Sequence, residues 1–386
     1  MIPRLADLAA AACLAAAACL SARAGAAEAP QPLNTANLAA ASYADLPGWA
    51  RDDHHAALAA FRAGCAALEK SEMWRTVCGR ARDGDAMRNP RGFFEANFRV
   101  FRVVNGDGTD SGLVTGYYEP LLRGSRTRGG PFVYPIYGPP DDLVTVDMAA
   151  AYPETRDLRL RGRLSGRRLV PYYTRAEIEA GRAPLAGKEL LWVDDRIELF
   201  FLHVQGSGRV RLADGTLIHV GYADYNGYPY RSIGRALVER GEVGAEQASM
   251  QAIRAWALLY PEQVPALLSV NPSYVFFRIL DNGQGTGEEG APGSLGVPLI
   301  PGRSIAVDTR YIPLGAPVYL ATTRLLSGTA LERTVIALDT GNAIRGAVRA
   351  DYYWGSGEEA DREAGRMRQQ GRMWLLLPRD TPLPPG

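Results

Sequence analysis

Ile305-Ala306-Val307-Asp308, Ile336-Ala337-Leu338-Asp339 and Val348-Arg349-Ala350-Asp351 are three short, largely apolar runs, each closed by an aspartate. Compact β-branched runs separated by turn residues read as buried strands. A carboxylate at the end of such a strand is partly desolvated, which disfavours its charged form and raises its pKa. A neighbouring carboxylate raises it further, and a general acid working near neutral pH needs that shift. The plain alternative is that each aspartate caps a turn, because Asp-Thr and Asp-Thr-Gly accept backbone N–H bonds well. Three such residues in one segment favour a site.

Outward from these runs, β-type sequence covers 304–308, 317–321 and 334–339, followed by a helix near 358–370 and a strand at 373–377. Upstream, Ser232 can cap a helix beginning at Ile233. A second helix around 247–260 carries Met250, Ile253, Trp256 and Ala257 on one face. Residues 120–230 are rich in Gly, Pro, Arg and Tyr, with short strands expected at 189–193, 197–204 and 208–212. An Asp214-Gly215 hairpin signal precedes another strand at 217–221, and 174–181 reads as helix. Before that, Leu58, Phe61, Cys65 and Leu68 fall at helical spacing within 51–70, with Asp52 and Asp53 at the positive end. Strand text begins near Phe98, turns at Asn105-Gly106-Asp107-Gly108 and resumes toward Gly116. The simplest architecture is one domain built from both ends, 46–120 and 231–380, interrupted by a small β domain at 121–230.

Basic and acidic residues nearly cancel over the 386 residues, leaving a net charge of +1. That argues against nucleic acid, which is held by many Lys and Arg contacts to phosphate. Arg4, the apolar run from Leu8 to Leu20 and the small residues around Ala24 read as a secretory signal over 1–27, placing the chain in the periplasm. Cys19 follows Ala16-Ala17-Ala18, loosely like a lipoprotein processing site. Such sites usually carry a larger aliphatic residue three before the cysteine, so an outer-membrane anchor stays open. The mature chain keeps only Cys65 and Cys78. In an oxidising compartment these read as a disulfide, worth roughly 3 kcal/mol in the chain-entropy model, the alternative being two buried thiols.

No metal site is expected. The four histidines, His54, His55, His203 and His219, have no spacing that holds an ion. His54 and His55 read as solvated on a surface helix, and His203 as a hydrogen-bonded structural residue on a strand. No Gly-x-Ser-x-Gly elbow supports a serine nucleophile, and Gly206-Ser207-Gly208 reads as a turn. Asp339-Thr340-Gly341 matches the aspartic protease signature, but the nearest second copy, Asp308-Thr309-Arg310, has arginine for the required glycine.

Gly116-Tyr117-Tyr118-Glu119-Pro120, Val204-Gln205-Gly206-Ser207-Gly208, Tyr230-Arg231-Ser232-Ile233-Gly234 and Asn271-Pro272-Ser273-Tyr274-Val275-Phe276-Phe277 together resemble the membrane-bound lytic murein transglycosylase A family. The three aspartate motifs resemble that family's three-aspartate domain, and the likeness runs from about Cys65 to Leu377. It implies a mainly β fold with flanking helices: a double-psi β-barrel domain interrupted by a smaller β-barrel domain, with a peptidoglycan glycan strand in the groove between them. It implies cleavage of the β-1,4 bond between N-acetylmuramic acid and N-acetylglucosamine to a 1,6-anhydromuramyl end, without a cofactor. Asp308 matches the family's catalytic aspartate, with Asp339 and Asp351 in support. Tyr117, Gln205, Gly206, Tyr352 and Trp354 would contact sugar, and Glu119 is either a second acid or a hinge salt bridge. A glycan-binding protein without catalysis is the second reading, the protease a third. The Arg-rich stretch from about Leu143 to Arg168 has no function assigned by these motifs.

Overall fold

The computed structural model describes residues 35–155, 160–244, 247–280, 290–341 and 343–382. The expected signal segment, with Cys19, lies outside them.

Six strands close a ring in the order Gly112–Glu119, Ala350–Ser356, Ser304–Val307, Ala330–Thr340, Pro317–Thr323 and Arg368–Pro378, the last pairing back onto the first. Two neighbouring pairs are parallel: Ser304–Val307 with Ala330–Thr340, and Ala350–Ser356 with Gly112–Glu119. Parallel neighbours need long crossover connections, and two of them in a six-stranded ring give the double-psi barrel. Ser304–Val307 is buried at every position, as its apolar run Ile305–Val307 requires, and Ser304 satisfies its hydroxyl by accepting the Ile300 N–H at 2.7 Å.

Helix His54–Leu68 packs on this barrel through Leu58, Phe61, Cys65 and Leu68, and is capped by Asp53, whose carboxylate accepts the Ala56 N–H at 3.0 Å. Cys65 is disulfide-bonded to Cys78 in the next helix, Glu72–Ala81. His54 is buried rather than solvated. Its Nε2 meets Trp49 O at 2.9 Å and its ring packs 4.3 Å from that of Trp49.

Beyond Glu119 the chain enters a second six-stranded sheet: Tyr134–Tyr137, Glu189–Val193, Leu121–Ser125, Ser207–Arg211, Leu217–Tyr225 and Val275–Ile279. It curls until its end strands approach, so that a Cβ on Gly138 would stand 3.7 Å from Phe277 O. Val275–Ile279 thus belongs with the inserted sheet, although the sequence reading placed it with the ends, because its antiparallel partner is Leu217–Tyr225. Residues 197–204, expected as a strand, form the helix Arg196–Gln205 instead. Asp195 caps it by accepting the N–H groups of Ile197 and Glu198 at 2.7 and 3.1 Å, and Gly206 ends it at φ +80°. His203 consequently lies on a helix, and neither ring nitrogen has a hydrogen-bond partner among the described residues. It packs 4.3 Å from the Tyr274 ring, and burial holds it uncharged. The final helix stops at Ala364, since residues from Arg368 onward are needed to close the barrel. A separate three-stranded antiparallel sheet, Val144–Val146, Leu160–Ser165 and Arg168–Pro171, is built from the Arg-rich stretch.

Candidate active site

Strand register assembles the site. Ala306 lies between Asp339 on its parallel neighbour and Asp351 on its antiparallel one. Two carboxylates distant in sequence are thereby brought to adjacent strands, while Asp308 falls just beyond the strand end.

Asp351 is partly reachable from solvent, and its Oδ1 accepts a hydrogen bond from Thr115 Oγ1 at 2.6 Å. Thr115 in turn accepts from Arg349 Nη2 at 3.0 Å. Burial raises the Asp351 pKa to about 6, with the charge of Asp339 adding to the rise and Thr115 and Arg349 opposing it. Asp339 is also partly reachable and is better supplied with donors. Its Oδ1 accepts from Ser294 N–H at 3.0 Å and Ser294 Oγ at 2.8 Å, and its Oδ2 from Tyr117 Oη at 3.1 Å. Burial still lifts it above the ordinary carboxylate range. Tyr117 is pushed far up by burial and by Asp339, so it keeps its proton and donates.

Asp308 is placed differently. Its side chain is 0 % exposed, beneath an Arg310 side chain that is 51 % exposed. Burial acts to raise its pKa, but the Arg310 guanidinium (Nε at 3.0 Å, Nη2 at 2.6 Å) and the N–H groups of Arg310 and Gly346 outweigh it. The carboxyl is held below its usual value and its oxygens are covered. A group so placed is ionised at neutral pH and has its charge paired with Arg310.

The other expected residues divide in two. Gln205 ends its helix beside the site strand, its Oε1 accepting the Tyr118 N–H at 3.3 Å, and it lines a cavity of about 530 Å³ with Thr115, Ser232, Met250 and Met367. Gly206 serves as the helix end, donating its N–H to Leu202 O at 2.9 Å. Tyr352 and Trp354 lie on the opposite face of their strand from Asp351, because successive side chains alternate. Tyr352 is buried, its hydroxyl donating to Gly302 O at 2.9 Å and accepting from Arg333 at 3.2 Å. Trp354 packs over Gly116, where an added Cβ would stand 2.7 Å from its Nε1. Glu119 is buried at the crossing between the sheets and paired with Arg209 Nε at 2.8 Å, a structural salt bridge. Thr115, Ser294 and Arg349 were not anticipated; only Thr115 carried a signal, two residues before Tyr117 on the same strand face.

The sequence matches the MltA specific insert domain over residues 113–278 and the 3D domain over 303–377. Membrane-bound lytic murein transglycosylase A of Escherichia coli K12 is 36% identical over 318 residues, covering 80% of this chain and 76% of that protein. The crystal structure of MltA from Neisseria gonorrhoeae is similar at a TM-score of 0.77 and 39% identity, covering 89% of this chain and 93% of that one. E. coli MltA with bound chitohexaose is similar at a TM-score of 0.64 and 29% identity, covering 92% and 96%. The two domain matches fall on the curled second sheet and on the barrel that carries the aspartates, and likeness at this level spans most of both chains: the protein belongs to the membrane-bound lytic murein transglycosylase A family.

Proposed function

We propose that this protein cleaves the β-1,4 bond between N-acetylmuramic acid and N-acetylglucosamine in peptidoglycan, leaving a 1,6-anhydromuramyl end, with Asp351 as its single general acid and base. The observation that carries this is the contrast between Asp351, reachable and raised to about 6, and Asp308, covered and held low. Glycosidases that use water need two carboxylates flanking the bond. Here the muramyl C6 hydroxyl replaces water. Protonated Asp351 gives its proton to the departing N-acetylglucosamine oxygen as the glycosidic bond breaks. The resulting carboxylate then takes the C6 hydroxyl proton as that oxygen bonds to C1, which restores the acid. Asp339, fixed by Ser294 and Tyr117, adds negative charge that contributes to the raised Asp351 pKa and faces the positive charge developing at C1. Asp308 orients the turn at Gly346.

The named relatives and the chitohexaose bound to E. coli MltA support a glycan as the ligand. The discontinuous domain division, export by residues 1–27 into the periplasm, and an outer-membrane association through Cys19 belong to the same reading. An aspartic protease dyad is disfavoured, since Asp308 is committed to Arg310. Purified sacculi treated with the protein should release muropeptides one water lighter than those with reducing ends. Reducing ends in the mass spectrum would show hydrolysis and refute the reaction, and no release would leave glycan binding alone.

A further inference from the structure

The sheet built from residues 144–171 is not used by the site. Val146 stands opposite Leu160, Val144 and Pro171 flank Gly162, and Leu164 stands opposite Leu169. Directly opposed residues share a face and successive ones alternate, so one face of this sheet is wholly apolar. The other face meets the body of the protein through Arg161 and Arg163. Arg161 donates to Asp224 at 2.8 Å and packs against Gly227, and Arg163 lies over the Tyr173 ring at 4.4 Å. The apolar face therefore looks outward: Leu160 is 47 %, Leu164 65 % and Leu169 46 % exposed. Scattered exposed leucines are ordinary, but a sheet face made of them marks an interaction surface.

Charge indicates what it meets. The turn at Gly166 presents Arg167 and Arg168, both exposed. Aliphatic side chains beside arginines fit a lipid interface, where leucine enters the acyl boundary and guanidinium meets phosphate. Protein-facing patches are usually built around aromatic anchors, and among the described residues this face carries none. We propose that this apolar face and its arginine tip dock the protein on an anionic phospholipid bilayer. The docking depends neither on a lipid at Cys19 nor on which aspartate is the acid.

The test is co-sedimentation of the full chain with phosphatidylcholine vesicles, with and without phosphatidylglycerol, beside Leu164→Gln/Leu169→Gln and Arg167→Gln/Arg168→Gln. All three proteins share one N-terminus, so differences report the sheet. Expected are preference for the anionic vesicles, weakening by salt, and a fall of about tenfold in partition for either double variant. Both variants should retain wild-type release of muropeptides from sacculi, showing that the fold is intact. Equal binding to neutral vesicles, or unchanged partition of the leucine variant, overturns the proposal. So does a wild type that ignores vesicles but cross-links to an envelope protein through this face.

Discussion

At Asp351 the physical terms give a sign for two measurements. On the proposed mechanism the carboxyl holds a proton when the glycan binds, and burial raises its pKa to about 6. The rate constant kcat/KM on soluble glycan strands should therefore fall as pH rises through about 6. A profile still rising between pH 6 and 8 would contradict the assignment. The same shift bears on stability. The folded pKa lies above the unfolded one, so the stability present below the unfolded value is lost as pH rises through the folded one. Asp351→Asn should stabilise the protein by about 1–3 kcal/mol at pH 8, and the gain should vanish at acid pH where both states are protonated. Denaturant unfolding at the two pH values checks this. Asp308 has the opposite sign: its lowered pKa contributes stability above the unfolded value, lost as pH falls through the folded one.

At the scale of the element, Gly116 shows why the Gly-Tyr-Tyr strand has its sequence. A Cβ there would stand 2.7 Å from Trp354 Nε1 and 3.0 Å from Ala364 Cα, a backbone atom of the covering helix. Gly116→Ala should destabilise by about 1–3 kcal/mol and lower activity by shifting Thr115 and Tyr117; a thermal melt within error of wild type would sink this reading. Elements legible in the sequence were the helix through Leu58, Phe61, Cys65 and Leu68, the capped helix at Ile233, and the strands that run up to Asp308 and through Asp339; the run at 348–351 was misread, because its strand Ala350–Ser356 begins just before Asp351 rather than ending there. Residues 197–204 misled because Ile197, Leu199, Phe200, Phe201 and Leu202 are all buried, leaving no period to distinguish helix from strand. The cap at Asp195 was the usable signal. In the site, the clustering of aspartates was legible from their position after apolar runs. Which one stays reachable was not. That depends on Arg310 folding back over Asp308 and on a register placing Asp339 and Asp351 on either side of Ala306, neither of which is a local property of the chain.

At the scale of the whole molecule, the proposed binding of a glycan between the barrel and the inserted sheet requires the two to keep a fixed relation. Arg254 supplies part of it. Its guanidinium binds Glu198 at 2.6 Å on the helix that ends in Gln205, Asp361 at 2.7 Å on the helix after the Asp351 strand, and the Tyr118 hydroxyl at 3.0 Å. Arg254→Met would leave two half-buried carboxylates without their cation. It should lower stability by about 1–3 kcal/mol and raise KM more than it lowers kcat, read from a melt and from kinetics on long glycan strands. The central claim, however, concerns which aspartate moves the proton. Its most direct measurement is the initial rate of anhydromuropeptide release from sacculi by wild type, Asp351→Asn and Asp308→Asn, followed by mass spectrometry. Release should fall at least about a thousandfold in Asp351→Asn and less than about tenfold in Asp308→Asn, as expected for loss of a general acid against loss of a turn contact. Full activity in Asp351→Asn with none in a folded Asp308→Asn would return the catalytic role to Asp308 and contradict the account.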